Sequence, residues 1–221
     1  MELKYKCLIL DHDDTAVDST AKLHYPAHLE VMRTLRPHLS PISLEEWFLK
    51  NFHPGIMEYL VKELKFTDRE MQIEYQIWRD YTLSRIPQFY PGFMEILKTF
   101  KEMGGVISVV SHSEKDLIER DYRHHNADIL PDLIFGWDYD EEKRKPSPWP
   151  VWQILNQFGL KPLEALIIDD LKPGVLMSQA SGVPVAAAGW SHSIPSIREF
   201  MNAHCAAYFT DIEELRDYIF G

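Results

Sequence analysis

Residues 8–19 read LILDHDDTAVDS, in which a short apolar run leads directly into closely spaced acids. The acids are Asp11, Asp13, Asp14 and Asp18. Neighbouring carboxylates disfavour one another's ionisation unless something compensates for their charge. A predicted buried strand that ends in acids therefore raises the question of whether water alone, or a metal and a reaction, offsets them.

Further apolar runs of strand length recur along the chain, and segments with helical periodicity, such as 93–103 and 149–158, lie between them. Alternation of strand and helix is typical of a parallel sheet covered by helices on both faces. The sequence therefore predicts an α/β fold. The predicted strands are 5–10, 106–111, 133–135, 165–168, 183–188 and 206–209.

The segment from about residue 21 to residue 86 breaks this alternation. It offers no convincing strand and at least three amphipathic helices, one of them at 68–85. Helix starts of the capping-box type are predicted at 43–46, 67–70 and, near the end of the chain, 210–213. We therefore expect an all-helical insertion after the first strand.

Polar residues follow three of the predicted strands. In open parallel sheets, ligands bind beyond the carboxyl ends of the strands. Carboxylates and hydroxyls gathered there would form an anionic pocket, which is costly unless a hard cation such as Mg²⁺ fills it. The residues concerned are Asp11 and Asp13, then Ser111, His112 and Ser113, and finally Asp169 and Asp170.

Composition narrows the function classes. The 221 residues are 45% hydrophobic and carry a formal net charge of -11, with no basic stripe, so a nucleic-acid partner is not expected. No apolar run approaches the roughly 18 residues of a membrane span, so no membrane partner is expected either. The two cysteines, Cys7 and Cys205, favour a reducing cytoplasm over a disulfide framework. We expect a monomer or weak homodimer.

Four motifs resemble those of the haloacid dehalogenase superfamily, in the same order. DHDDTAVDS resembles the first motif, DxDGT followed by DS, and VVSHS resembles the second, a hydroxyl that ends a strand. KRKPSPWP resembles the third, a lysine before P-x-P, and IIDDLKPG resembles the fourth, an acidic pair. The flanking YPG, FKEMGG and ASGVPV match as well, so the resemblance covers nearly the whole chain outside the insertion.

The resemblance implies a Rossmann-like core, 1–16 and 88–221, and a helical cap domain, 17–87, of the type found in phosphoglycolate phosphatase and β-phosphoglucomutase. It implies a Mg²⁺-dependent phosphatase that forms an aspartyl-phosphate on a small phosphorylated metabolite, such as a sugar phosphate or phosphoglycolate. The implied roles are Asp11 as nucleophile, Asp13 as general acid–base, Ser111, His112 and Lys145 on the phosphate, Asp11, Asp13, Asp169 and Asp170 at the metal, and His24 as a cap contact to substrate.

Two positions depart from the family pattern. Asp14 replaces the usual glycine, and we expect it to be accommodated because Asp tolerates left-handed and turn conformations better than most residues. Gly174 stands where many relatives carry a further acid four residues after the metal ligand. The doubled Asp169–Asp170 is a known variant of the motif.

Other functions on this fold remain open. A phosphosugar mutase needs a cationic phosphate site in its cap, and Lys50 and Lys62 are the nearby candidates. A phosphonatase would need a cap lysine such as Lys50 for a Schiff base. A dehalogenase is disfavoured because its chemistry needs neither Mg²⁺ nor the acid at Asp13. A catalytically silent binding module is the non-enzyme alternative.

Overall fold

The computed structural model describes residues 3–221 and divides the chain into two compact units. One unit comprises the chain up to Val17 together with Phe89–Gly221, and the other is Asp18–Gln88. Residues 1 and 2, with which the predicted segment 1–16 begins, lie outside the described part of the chain.

A six-stranded parallel sheet forms the centre of the first unit and confirms the predicted α/β class. The sheet order is β5-β4-β1-β6-β7-β8, and β2 pairs with β3 in a separate ribbon that the sequence did not predict. The strands of the described chain are β1 (Cys7–Leu10), β2 (Val17–Asp18), β3 (Gln88–Phe89), β4 (Val106–Val110), β5 (Leu133–Phe135), β6 (Ala165–Asp169), β7 (Val185–Ala188) and β8 (Ala207–Phe209).

Strand β1 has a neighbour on each side. Cys7 lies opposite Val106 of β4 and opposite Ala165 of β6, and all four residues of β1 are buried. A strand buried in this way has no solvent-facing positions, so its sequence is continuously apolar and does not alternate. The chain then emerges from the sheet at Asp11, at the edge formed by the carboxyl ends of the strands.

The second unit is helical between its strand ends. Its helices are α1 (Tyr25–Leu35), α2 (Leu44–Phe52), α3 (Ile56–Glu58) and α4 (Asp68–Leu83), with π-helical turns at Thr20–His24 and Tyr59–Glu63. They share a small core of Val31, Trp47, Tyr59, Leu60 and Phe66.

An ion pair accompanies this core. Arg36 pairs with Glu70 at 2.5 Å, and its guanidinium lies 4.7 Å from the centre of the Phe66 ring.

The described part of the first unit contains six further α-helices. Helices α5 and α7 contact β4, while α8 contacts β6 and β7. The largest fully buried side chains here include Tyr122, Phe93 and Phe100. The helices are α5 (Phe93–Glu102), α6 (Lys115–His125), α7 (Trp149–Phe158), α8 (Lys172–Ser181), α9 (Pro195–His204) and α10 (Ile212–Phe220).

Two of the predicted capping boxes are confirmed and one is wrong. The boxes at 43–46 and 67–70 form with both reciprocal hydrogen bonds. The start of α10 lies one residue later than predicted at 210–213, because Asp211 is the N-cap and accepts a hydrogen bond of 2.9 Å from the Glu214 N–H. Within residues 3–221, the helices lack the combination of length and apolar character that crossing a membrane requires.

Candidate active site

Three neighbouring strands deliver the predicted site residues to one edge of the sheet. Strands β4, β1 and β6 lie side by side, so the residues that follow them are close together. Asp11 follows β1, Ser111 follows β4, and Asp170 follows β6. The Asp11 N–H donates to the Ile168 carbonyl at 2.9 Å, which extends the β1–β6 ladder into the site.

An acidic cluster forms at this edge. Asp11, Asp169 and Asp170 are buried, and each offers one carboxylate oxygen such that all three atoms lie within 4.8 Å of one another. Burial raises the pKa of Asp170 well above its ordinary value, and the charge of Asp11 raises it further. A cation that neutralises the cluster would reverse this cost.

One oxygen of the cluster lacks a hydrogen bond. Oδ1 of Asp11 is buried and accepts none within the described residues, although the Lys145 Nζ atom is 3.1 Å away. A buried acceptor without a donor costs free energy unless something else approaches it. Mg²⁺ prefers such carboxylate oxygens, so the residues present fit a divalent cation.

Lys145 brings a positive charge into the cluster. Its Nζ atom lies 2.7 Å from Oδ2 of Asp169 and 3.1 Å from Oδ1 of Asp11, with all three side chains buried. Burial alone would lower the pKa of Lys145, but the carboxylates of Asp11 and Asp169 raise it overall above its usual value. The ammonium therefore stays charged and places a positive charge beside the Asp11 carboxylate.

His112 contacts the backbone that carries Lys145. Its Nε2–H donates to the Lys145 carbonyl at 2.7 Å, and its ring meets the Trp137 ring edge to face at 5.9 Å. The structure thus shows the imidazole fixing the segment before α7.

Ser113 has a contact that the sequence did not predict. Its hydroxyl donates to Oδ2 of Asp13 at 2.5 Å, and its backbone N–H donates to the Ser111 hydroxyl at 3.1 Å. Asp13 is half-buried, whereas Ser113 is buried. The sequence placed Ser113 at a strand end without a role, and the only signal was its position two residues after Ser111.

The turn after Asp13 accommodates Asp14 as expected. Asp14 has a φ of 57°, in the left-handed region, and its N–H donates to the Val17 carbonyl at 2.8 Å. The next residue, Thr15, donates its hydroxyl to Oδ1 of Asp170 at 3.1 Å. The first motif and the fourth are therefore joined directly by side chains.

Asp169 uses both of its oxygens within the protein. Oδ2 contacts Lys145, and Oδ1 accepts a hydrogen bond of 2.9 Å from the Leu171 N–H. Gly174 makes room for this carboxylate, because a Cβ atom added there would lie 2.1 Å from Cγ of Asp169. A residue without a side chain at 174 therefore leaves the space that the Asp169 carboxylate occupies.

His24 has a partner within its own unit. Its Nδ1 atom accepts a hydrogen bond of 3.0 Å from the indole N–H of Trp78, and the two rings are nearly parallel, with centres 6.1 Å apart. Trp78 lies on α4 and is half-buried. On the same helix Ile73 and Tyr75 are exposed.

Comparison with known proteins identifies a family that this sequence matches. The haloacid dehalogenase-like hydrolase family matches residues 8–188. A phosphoglycolate phosphatase from Aquifex aeolicus (strain VF5) is 28% identical over 194 residues, which are 85% of this chain and 86% of the relative. The pyrophosphatase PpaX from Bacillus cereus (strain AH820) is 24% identical over 86% of this chain and 85% of its own.

A solved structure shares the fold. It is a hydrolase of the haloacid dehalogenase-like family from Streptococcus pneumoniae, with a TM-score of 0.77 and 18% sequence identity over 97% of this chain and 98% of the other. Because the family match spans most of the sequence and the two relatives are phosphatases, the chain belongs to the haloacid dehalogenase-like hydrolases, as a phosphatase.

Proposed function

We propose that the protein is a Mg²⁺-dependent phosphatase that hydrolyses a small phosphorylated metabolite through an aspartyl-phosphate on Asp11. The observation that carries this proposal is the placement of the Asp11 carboxylate. It lies between two further buried acids and the Lys145 ammonium, and one of its oxygens accepts no hydrogen bond.

The metal-binding residues in this proposal are Asp11 and Asp170 through their carboxylates and Asp13 through its backbone carbonyl, with Asp169 beside them. Both oxygens of Asp169 already have partners in the protein, which favours an indirect role for it. When bound there, Mg²⁺ would supply positive charge that reduces the repulsion between the phosphoryl oxygens and the carboxylate of the nucleophile.

The chain's own residues carry out the two chemical steps. Asp11 attacks phosphorus while the bond to the leaving oxygen breaks, and Asp13 gives that oxygen a proton. Asp13 then takes a proton from water, which attacks phosphorus and releases phosphate from Asp11. Ser111, His112 and Lys145 hold the phosphoryl oxygens, and Ser113 keeps the Asp13 carboxylate oriented.

The helical unit has the role of a cap in this proposal, with domain limits of 17–87 for the cap and 1–16 and 88–221 for the core. Closure of a cap excludes water and selects substrate. His24 is the residue we assign as a cap contact to substrate. The proposal further includes a cytoplasmic monomer or weak homodimer without nucleic-acid or membrane partners.

Two observations support a choice of substrate class: the names of the relatives and the ion pairs of the cap's lysines. The phosphoglycolate phosphatase relative favours phosphoglycolate, and the PpaX relative adds pyrophosphate as a second candidate. A sugar phosphate stays in the proposal as the expectation from the sequence. Lys50 is ion-paired with Glu63 at 2.5 Å, and Lys62 with Glu58 at 2.8 Å. Lysines neutralised in this way weigh against the mutase and the phosphonatase alternatives.

Phosphate release from phosphoglycolate, sugar phosphates, pyrophosphate and p-nitrophenyl phosphate tests the proposal. We expect turnover that EDTA abolishes, that Mg²⁺ restores and that Asp11→Asn reduces to background. Asp18→Asn is the matched control, because Asp18 lies in the same acidic stretch but pairs with Lys22. Turnover that survives Asp11→Asn would overturn the assigned nucleophile, and a silent wild-type protein that still binds Mg²⁺ would favour the binding module.

A further inference from the structure

His12, the residue between Asp11 and Asp13, makes a buried contact with helix α6. Its Nε2 atom lies 3.1 Å from Oδ2 of Asp121, and the two side chains are only 2% and 4% exposed. The pair joins positions 109 residues apart in the sequence. Neither residue belongs to the chemistry proposed above, so the pair needs a separate explanation.

Other groups hold the two members of the pair in place. The guanidinium of Arg120 donates to Oδ1 of Asp121 at 2.9 and 2.6 Å, which occupies the second oxygen of that carboxylate. The His12 ring stacks on Tyr122 at 5.9 Å and meets Phe89 edge to face at 6.3 Å. The imidazole is thus held between the Asp121 carboxylate and the rings of Tyr122 and Phe89.

The main chain of His12 is also fixed. Its carbonyl accepts hydrogen bonds from the N–H groups of Ala16 at 2.9 Å and Val17 at 3.1 Å, which define the turn after Asp13. Helix α6 begins at Lys115, two residues after Ser113, whose hydroxyl contacts Asp13. The loop of residues 11–14 therefore contacts the segment from the end of β4 to α6 at two places, through Asp13 and through His12.

A contribution to stability does not by itself explain why His12 and Asp121 are buried as a pair. Charged and polar groups lose hydration when they are buried, and apolar side chains of similar volume often stabilise a fold equally well or better. Two flanking residues of His12, by contrast, need defined positions, because one carboxylate must face phosphorus and the other the leaving oxygen. Misplacement by about 1 Å can cost roughly a hundredfold in rate.

We propose that the buried His12–Asp121 pair positions Asp11 and Asp13, with His12 acting through the backbone it shares with them and Asp121 acting through His12. This inference rests on the proposed function for the roles of the two flanking acids. It assigns His12 and Asp121 as positioning residues and gives neither a contact with substrate.

The central experiment compares His12→Leu, Asp121→Leu and the double variant. His12→Leu removes one of the two partners of the buried Asp121 carboxylate, which keeps Arg120, and Asp121→Leu takes the carboxylate away from the buried imidazole. Each single change should therefore lower the melting temperature. The double change removes both groups of the pair and leaves only the partly exposed Arg120 without this carboxylate, so it should recover most of that temperature. With p-nitrophenyl phosphate we nevertheless expect the double variant to show a kcat at least tenfold below wild type, a KM within about threefold, and at least tenfold weaker Mg²⁺ binding by calorimetry.

A second comparison does not depend on the apolar variants folding. His12→Gln keeps a donor that can reach Asp121, whereas His12→Asn carries the same amide on a shorter chain. We expect Gln to keep kcat within about threefold of wild type and Asn to lower it at least tenfold. The ion pair of Lys6 and Glu164, which precedes β1 and β6, is the control, and Lys6→Met/Glu164→Gln should leave kcat and Mg²⁺ binding unchanged.

The outcomes separate this inference from the proposed function. If the double variant folds with wild-type kcat and Mg²⁺ affinity, or if Gln and Asn behave alike, the pair is only structural and the inference is overturned. If wild type shows no turnover that depends on Asp11, the proposed function fails. The Mg²⁺ titrations then decide the inference alone, and unchanged affinity in the double variant would overturn it.

Discussion

The Nζ atom of Lys145 lies 2.7 Å from Oδ2 of Asp169, and both side chains are almost fully buried. Removal of the lysine would leave an uncompensated buried carboxylate. We therefore expect Lys145→Met to lower the free energy of unfolding by about 3–5 kcal/mol and to reduce turnover at least a hundredfold. Urea unfolding and phosphate release measure the two effects.

A conservative change should not rescue Lys145. Arginine carries the same charge on a planar fork that does not fit a site built for a compact ammonium, so Lys145→Arg should remain strongly impaired. Lys143→Met is the control, because Lys143 is partly exposed and pairs with the exposed Asp140. Turnover near wild type in Lys145→Met would show that Asp11 does not depend on this charge.

Gly174→Ala should disturb the ion pair of Lys145 and Asp169 by displacing the carboxylate instead of removing the lysine. The added methyl group would lie 2.1 Å from Cγ of Asp169, so the carboxylate must move away from Lys145. We expect a stability loss of about 1–3 kcal/mol, although alanine is the better helix former, and a fall in kcat.

Gln179→Ala on the same helix provides the comparison for Gly174→Ala, since Gln179 is exposed. Thermal melts and steady-state kinetics of both variants suffice. A stabilised and fully active Gly174→Ala protein would contradict the close approach of these two residues.

Ser113→Ala should lower kcat about ten- to a hundredfold with little change in KM. The hydroxyl donates to Oδ2 of Asp13 at 2.5 Å, and a hydrogen bond to a charged group contributes about 1.5–3 kcal/mol. The loss should appear in kcat because Asp13 acts on the leaving oxygen and the water. Ser196→Ala, at an exposed site on α9, should change neither constant. Equal kinetics in both variants would remove Ser113 from the site.

His28 should make stability depend on pH. Burial lowers the pKa of His28 from 6.5 to about 4, so the unfolded chain binds the proton more tightly than the folded chain does. Stability from this group is complete above pH 6.5 and is lost as pH falls towards 4. The loss reaches about 3 kcal/mol. Urea unfolding between pH 4 and 7 should show that wild type loses this stability as pH falls and that His28→Phe does not.

Glu74 gives the opposite slope and serves as the counterpart to His28. Burial raises the pKa of Glu74 from 4.5 to about 7, so the folded chain holds this proton more tightly than the unfolded chain. Stability from Glu74 therefore falls as pH rises from 4.5 to 7. Glu74→Gln should remove that decline. If His28→Phe and Glu74→Gln changed the pH dependence of stability in the same direction, these assignments would be contradicted.

The sheet and its edge could be predicted because they rest on local patterns. The continuous apolar run of β1 and the acids that follow it are adjacent in sequence, and parallel strands place their ends together. Strands β2 and β3 have only two residues each and carry no periodicity to detect. The capping box at 210–213 was wrong because Thr210 and Asp211 both have a glutamate three residues later.

The contacts that orient the site could not be read from the sequence. The bond between Ser113 and Asp13 spans 100 residues, and the one between His12 and Asp121 spans 109. Such pairings depend on the distances between elements in three dimensions, which no local pattern contains. His12 lies inside the first motif, but its contact with Asp121 can be identified only from the position of α6 in the structure.

The shared space between Gly174 and Asp169 has a consequence for how this sequence can diverge. Since a side chain at 174 and the carboxylate at 169 would occupy the same volume, position 174 cannot gain a side chain while Asp169 is present. A mutational path that enlarges 174 must therefore first reduce 169, which gives the order of the two steps a direction.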